Sequence, residues 1–88
     1  MQRVFISGQV QGVGFRRYIK SRAVSLNLTG WVKNLPDRRI EAVFKGDREN
    51  IEKMFEILRV GPFLADVTHL QVEEIEDQDF GTFDIIKD

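Results

Sequence analysis

The sequence predicts an α+β fold in which two helices cover one face of an antiparallel sheet, with the elements in βαββαβ order. Three observations predict it. Two segments carry apolar residues at helical spacing, and a segment between them alternates apolar and polar residues. Glycine or proline marks most of the boundaries between the predicted elements. With 88 residues, of which 42% are hydrophobic, the chain is long enough for one small core, so a single domain is expected over residues 1–88.

The first strand and the first helix are separated by a change of period. Residues 3 to 10 predict a strand centred on three apolar residues, Val4, Phe5 and Ile6. From about residue 14 to residue 27 the apolar residues recur at helical spacing, namely Phe15, Ile19, Ala23 and Leu26. A helix that follows a glycine-rich loop is therefore expected, with one apolar face against the sheet.

A β-hairpin is predicted in the middle of the chain. Residues 29 to 34 form its first strand, in which Trp31 is expected in the core and Gly30 indicates a close backbone approach or a bulge. Residues 35 to 38, Leu-Pro-Asp-Arg, are a turn signal, because proline fixes φ and aspartate favours turn conformations. Residues 39 to 45 then alternate, so one face of that strand, with Ile40, Ala42 and Phe44, is expected to be buried.

The last third of the chain predicts a second helix and the remaining strands. The helix is expected to begin after Gly46-Asp47, where the Asp47 side chain can cap it, and to end at Gly61-Pro62. Its apolar stripe belongs to the core and consists of Ile51, Met54, Phe55 and Leu58. Residues 67 to 75 form a strand whose irregular alternation allows a bulge, and residues 82 to 86 can add a short fifth strand. This order predicts a ferredoxin-like two-layer sandwich with the main strands in spatial order 4-1-3-2.

The composition excludes several classes of function. The chain has no cysteine and one histidine, His69, which excludes disulfides, thiolate catalysis and cysteine-bound zinc, and no metal site or other cofactor is expected. No apolar run approaches the roughly 18 residues of a membrane span, and the N-terminus lacks a signal-peptide core. We therefore expect a cytoplasmic protein with no membrane partner, and a monomer because no long apolar surface run is present.

The net charge of −1 hides an uneven distribution of charge along the chain. Residues 1–45 carry nine Lys or Arg and two Asp or Glu, whereas residues 46–88 carry four and twelve. The basic half can draw anions toward its glycine-rich loop. Alternatively, the two halves interleave in the fold and neutralise one another. The sequence leaves both interpretations open.

The strongest functional signal lies in residues 8 to 18. Gly8, Gly12 and Gly14 come just before the first helix, and Arg16 lies within its first turn. Glycine lets amide groups turn toward a ligand, the helix N-terminus adds N–H donors and partial positive charge, and arginine adds a planar fork of donors for phosphate oxygens. Together these parts predict a phosphate cradle that needs no metal. The loop lacks the Gly-Lys-Ser/Thr ending of a Walker loop and the third glycine of a Rossmann loop.

Two blocks of sequence give this loop a more specific interpretation. Residues 10 to 16, Val-Gln-Gly-Val-Gly-Phe-Arg, and residues 28 to 34, Leu-Thr-Gly-Trp-Val-Lys-Asn, resemble the acylphosphatase family, and the resemblance covers essentially the whole chain. It implies a hydrolase that needs no metal and cleaves the carboxyl-phosphate bond of small acyl phosphates to carboxylate and inorganic phosphate. It also implies that Arg16 binds the phosphoryl group and Asn34 positions the attacking water. The implied substrate-binding residues are Gln11, Gly12, Val13, Gly14, Phe15 and Arg16, and the same loop is expected to hold inorganic phosphate or sulfate.

The absence of a catalytic cysteine, a histidine pair and a metal-binding cluster from the sequence fits an acyl phosphate as the substrate. An acyl phosphate already has a good leaving group, a carboxylate of low basicity, so it needs no general acid to expel it. Loop amides and a guanidinium stabilise the charge on the equatorial oxygens of a loose transition state. One position departs from the family pattern: Arg38 stands where a glycine is common, which predicts a different conformation of the turn after Asn34.

Two other functions are compatible with this architecture. RNA-recognition domains share the element order, but their Gly-aromatic motif lies on the third strand, where this chain has no paired aromatic residues, so no nucleic-acid partner is expected. The second alternative is a non-catalytic or specialised acylphosphatase-like domain that binds anions. Hydrolysis of a simple acyl phosphate without added metal separates it from the enzyme.

Overall fold

The predicted succession of elements is confirmed by a computed structural model, which describes residues 1–87; Asp88, the last residue of the predicted domain, lies outside the described residues. Within the described part, the elements in chain order are β1 (Gln2–Gln9), α1 (Phe15–Ser25), β2 (Thr29–Asn34), β3 (Ile40–Lys45), α2 (Arg48–Val60), β4 (Asp66–Glu74) and β5 (Phe83–Ile86). Strands β1 and β4 each begin one residue earlier than the sequence pattern indicates. Such small shifts at element ends are expected because local patterns define boundaries poorly.

The strands form one sheet in the order β4-β1-β3-β2-β5. This arrangement confirms the ferredoxin-like order 4-1-3-2 and adds β5 as a fifth strand, parallel to β2. The register between β1 and β4 shifts between Ser7 and Gly8, so the irregular alternation of β4 does correspond to a bulge.

The topology of the sheet brings the carboxyl ends of three strands together. Strand β3 is antiparallel to both β1 and β2, and β5 is parallel to β2, so β1, β2 and β5 run in the same direction. Their carboxyl ends therefore meet at one edge. The glycine-rich loop after β1, Asn34 at the end of β2 and Ile86 at the end of β5 all lie at this edge.

Both helices pack on the same face of the sheet and enclose the core. Helix α1 buries Phe15, Ile19 and Ala23, and helix α2 buries Ile51, Met54 and Leu58. These side chains meet the inward-facing strand residues, which include Val4, Ile6, Val32, Ala42 and Phe44. Phe83 of β5 stacks on Phe44 with ring centroids 5.5 Å apart, which attaches the fifth strand to the core.

The opposite face of the sheet differs from the prediction. Trp31 is only half-buried and lies there beside Lys33, whose Nζ is 5.3 Å from the ring centre, so its assignment to the core is wrong. Strand β3 is buried on both faces, because it is the central strand and long neighbouring side chains cover it. Glu41, for example, is 9% exposed and lies 3.7 Å from Arg3 and 3.8 Å from Lys33.

Two further local features affect how the elements begin and pair. Asp47 is the N-cap residue of α2, but its side chain makes no capping hydrogen bond within residues 1–87, so the predicted side-chain cap is wrong. Gly30 has a φ of 138°, and a Cβ there would lie 1.9 Å from the Val43 carbonyl oxygen, which confirms the predicted close approach.

Helices α1 and α2, with 11 and 13 residues, are not long and apolar enough to cross a membrane within the described chain.

Candidate active site

A cleft at the carboxyl edge of the strands brings together most of the predicted site residues. Its volume is about 590 Å³, and its lining includes Val10, Gly12, Gly14, Phe15, Arg16 and Asn34. Arg16 and Asn34 are 18 positions apart in the chain. The parallel direction of β1 and β2 is what places both at this cleft.

The backbone of the glycine-rich loop is shaped to present amide groups. Gly12 and Gly14 both have a φ of 76°, and Gly14 is the N-cap residue of α1. A Cβ at either glycine would meet no atom within 4 Å, so it is the left-handed φ rather than lack of room that favours glycine there. Among residues 1–87, the amide groups of residues 12 to 15 donate to no backbone carbonyl. A helix N-terminus with such donors is an anion-binding arrangement.

Arg16 lies where the helix dipole favours an anion. It is half-buried in the first turn of α1, which contains no acidic residue, and Arg17 next to it is exposed at the rim of the same cleft. Nη1 of Arg16 donates to the backbone carbonyl of Ile86 at 3.4 Å. The end of β5 thus helps to direct the guanidinium, a role that the sequence pattern of residues 82 to 86 did not indicate.

Asn34 contributes a buried acceptor to the site. It is the last residue of β2 and shares the helix-facing side of the sheet with Gly30 and Val32, because side chains alternate along a strand. Its Oδ1 atom is buried and has no hydrogen-bond donor among the described residues. Leaving a buried acceptor without a donor lowers the free energy of unfolding by about 1–3 kcal/mol. The presence of such an acceptor at the cleft therefore indicates a functional role for Asn34.

Two of the predicted loop residues do not line the cleft. Val13 packs against the hydrophobic core. Gln11 directs its side chain to the turn after β2, where Nε2 donates to the carbonyls of Leu35 and Arg39, both at 2.9 Å. A substrate contact by the backbone of either residue stays a prediction, whereas the side-chain contact of Gln11 was not foreseen.

The turn after Asn34 keeps the conformation that a glycine would adopt. Arg38 has a φ of 78°, so the predicted change of turn conformation is wrong. The backbone bonds from Arg38 N to Leu35 O, at 3.1 Å, and from Leu35 N to Arg39 O, at 2.8 Å, impose this φ on arginine. The amide and guanidinium of Arg39 both donate to the Asp37 carboxylate, which lowers the pKa of Asp37 below its usual value.

A second cleft, of about 620 Å³, lies at the opposite edge of the sheet, where Glu74 and Asp77 of the acidic half meet the N-terminus. The Met1 ammonium there donates to the carboxylates of Glu74, at 2.9 Å, and Asp77, at 2.6 Å, and these hydrogen bonds, the one to Asp77 first, raise the pKa of the ammonium. Among the described residues, the lining of the cleft with Arg16 also includes Arg17 and Lys87 and no Asp or Glu.

Ion pairs between the strands bear on the question left open by the charge distribution. The two halves of the chain do interleave, and Arg3 of β1 pairs with Glu73 of β4 at 2.9 Å. Within the described residues, basic side chains also lie together at the first cleft, namely those of Arg16, Arg17 and Lys87. The attraction of anions toward the loop stays a prediction.

The acylphosphatase family model matches residues 2–85. The chain belongs to the acylphosphatase family. The acylphosphatase of Acaryochloris marina is 42% identical over 85 residues, which cover 97% of this chain and 91% of that protein. The structure of an acylphosphatase from Coxiella burnetii matches with a TM-score of 0.93 and 41% identity, covering 97% of this chain and 90% of that chain.

A structural match to a larger protein bears on the alternative function. The crystal structure of T. kodakarensis HypF matches all of this chain with a TM-score of 0.87 and 34% identity, but the match covers only 12% of HypF. Proteins named acylphosphatase are instead matched over most of their length. The comparisons thus favour the acylphosphatase enzyme, a hydrolase whose family function is the hydrolysis of acyl phosphates, over a specialised anion-binding domain.

Proposed function

We propose that this chain hydrolyses acyl phosphates in the cleft between the glycine-rich loop and Asn34. The loop amides and the Arg16 guanidinium hold the phosphoryl oxygens, and Oδ1 of Asn34 accepts a hydrogen bond from the attacking water. The observation that carries the proposal is the buried Oδ1 atom, which has no donor among residues 1–87 and belongs to a residue of this same cleft. An acceptor is what is needed to orient a water molecule whose oxygen must face phosphorus.

The reaction needs few groups from the protein. The water oxygen attacks phosphorus, the bond between phosphorus and the acyl oxygen breaks, and its electron pair leaves with the carboxylate. The water proton passes to a phosphate oxygen, since the amide of Asn34 is a poor base. Catalysis then comes from positioning and from donors that stabilise negative charge on the phosphoryl oxygens.

The proposal includes the ligands and the state of the protein expected from the sequence. A small acyl phosphate is the substrate, and inorganic phosphate or sulfate occupies the same loop. The low basicity of the leaving group means that no metal is required. The monomeric state and the cytoplasmic location stay predictions.

The test is the release of inorganic phosphate from benzoyl phosphate in the presence of a chelator. We expect hydrolysis by the wild-type protein, with inorganic phosphate as a competitive inhibitor. Arg16→Ala should weaken inhibition by phosphate, whereas Asn34→Ala should lower kcat and leave that inhibition intact. Lys20→Ala, an exposed position on the same helix, is the matched control and should change neither. Hydrolysis that stops in the chelator, or a wild-type kcat in Asn34→Ala, would contradict the proposal.

A rate that depends little on pH near neutrality is also expected, because no protein group takes the proton. A steep dependence on a single group in that range would show that a general base is present.

A further inference from the structure

The Gln11 side chain connects the two parts of the site that come from different elements. Gln11 lies in the loop after β1, and its carboxamide reaches the turn between β2 and β3. Nε2 donates to Leu35 O and to Arg39 O, each at 2.9 Å, across 24 and 28 residues of sequence. Both contacts are partly buried, so water competes with them less than at the surface.

The two acceptors are the carbonyls that also close the turn. Leu35 O accepts from Arg38 N, and Arg39 O accepts from Leu35 N. A single –NH₂ group has two hydrogens, so the Gln11 carboxamide can satisfy both carbonyls at once. It therefore holds the turn as a unit, and Asn34 is the residue directly before that turn.

We propose that Gln11 is a positioning residue for hydrolysis: its side chain sets the distance between the phosphate loop and Asn34. This inference rests on the proposed function, because it concerns the water that Asn34 orients. The loop amides and Arg16 stay on α1 and its N-terminal loop when the contact is lost. Asn34 and its turn lose their tie to that loop, so the attacking water is displaced relative to phosphorus.

The residue type agrees with this role. Glutamate at position 11 offers only acceptors to two carbonyls when ionised, and asparagine is one methylene too short for the same reach. Methionine has nearly the length of glutamine but no donor. Lysine has a longer side chain, and its ammonium group can donate to both carbonyls.

The experiment compares Gln11→Met with Gln9→Met, the same change at an exposed glutamine of β1. With benzoyl phosphate we expect kcat of Gln11→Met to fall by about 10–100-fold, the effect of an ångström-scale misplacement. The inhibition constant of inorganic phosphate should change by less than about threefold, because the donors that hold phosphate remain. Gln9→Met should leave both quantities unchanged.

Two further variants separate positioning from a general effect on the fold. In an Asn34→Ala background, Gln11→Met should lower kcat by less than about threefold, since no oriented water remains to be misplaced. Gln11→Lys should recover part of the lost kcat, because its ammonium donates to the same carbonyls. Thermal unfolding of every variant shows whether the measurements report on folded protein, and Gln11→Asn, whose side chain is one methylene too short for the contact, serves as the test if Gln11→Met does not fold.

The outcomes distinguish this inference from the proposed function. An active wild type with an equally active Gln11→Met overturns the positioning role and leaves the proposed function intact. Parallel changes in kcat and in phosphate inhibition also overturn it, because Gln11 would then support the phosphate loop itself. So does failure of both Gln11→Met and Gln11→Asn to fold. A wild type that releases no phosphate is instead a failure of the proposed function.

Discussion

Replacing Asn34 with leucine is expected to stabilise the protein and to abolish most of its activity. Oδ1 of Asn34 is buried and has no donor among the described residues, and a buried polar atom in that condition costs about 1–3 kcal/mol. Leucine has a similar shape and no polar atom, and it would extend the apolar face that Val32 forms on the same strand. Since Asn34 as a whole is half-buried, we take the lower end of the range and expect a gain of about 1 kcal/mol in the free energy of unfolding.

The two effects of this substitution are measured separately. For a domain of this size, 1 kcal/mol corresponds to a rise in Tm of roughly 4–8 °C, which thermal or urea unfolding resolves. Without an acceptor for the water, kcat with benzoyl phosphate should fall by about 10²–10³-fold. Such a combination is typical of an active-site group that is kept at the expense of stability.

A matched control is available on helix α2. Asn50→Leu makes the same chemical change at a half-buried helical position that does not line the cleft, and it should leave kcat unchanged. A lower Tm for Asn34→Leu would refute the reasoning about the unsatisfied acceptor. Retention of wild-type kcat would refute the role of Asn34 in orienting water.

Three other predictions concern charge and backbone strain. Arg16→Lys should lower kcat/KM by about 10–100-fold, because one ammonium cannot copy the planar fork of the guanidinium, and near-normal activity would contradict that geometry. Arg38→Gly should raise the free energy of unfolding by about 1 kcal/mol in urea unfolding, since a φ of 78° is unfavourable for arginine, and a loss of stability would show that the side chain outweighs the strain. The hydrogen bond from the Met1 ammonium lowers the pKa of Asp77, so its contribution to stability is present above the unfolded pKa of about 4 and is lost as pH falls through the lower folded pKa. As pH falls on the acid side, the free energy of unfolding should therefore decrease less steeply in Asp77→Asn than in wild type. Parallel curves for the two proteins would exclude this contribution of Asp77.

The predictions that held are those that depend on neighbours in sequence. The helical spacing of Phe15, Ile19 and Ala23 produced the expected buried face of α1. The glycines of the loop have the left-handed φ values that their lack of a Cβ allows. These local signals were sufficient for the order of the elements and for the shape of the loop, whereas the roles of Arg16 and Asn34 stay predictions.

The predictions that failed depend on contacts between distant parts of the chain. Trp31 is apolar and was assigned to the core, but the sheet is covered by helices on one face only, and the register places Trp31 on the other. Arg38 was expected to change the turn, but the hydrogen bonds that close the turn impose a glycine-like φ on it. The Gln11 contact has no sequence signal, since nothing near residue 11 indicates which carbonyls, 24 and 28 residues away, it will meet.

The order of the elements and the shape of the loop before α1 were determined by the sequence alone, because periodicity and backbone preference act over a few residues. Only the tertiary structure decided that β5 runs parallel to β2 and so brings the Ile86 carbonyl to Arg16. The distances within the site depend on strand order and register. Those are set by the packing of the whole sheet against its helices and not by any one segment.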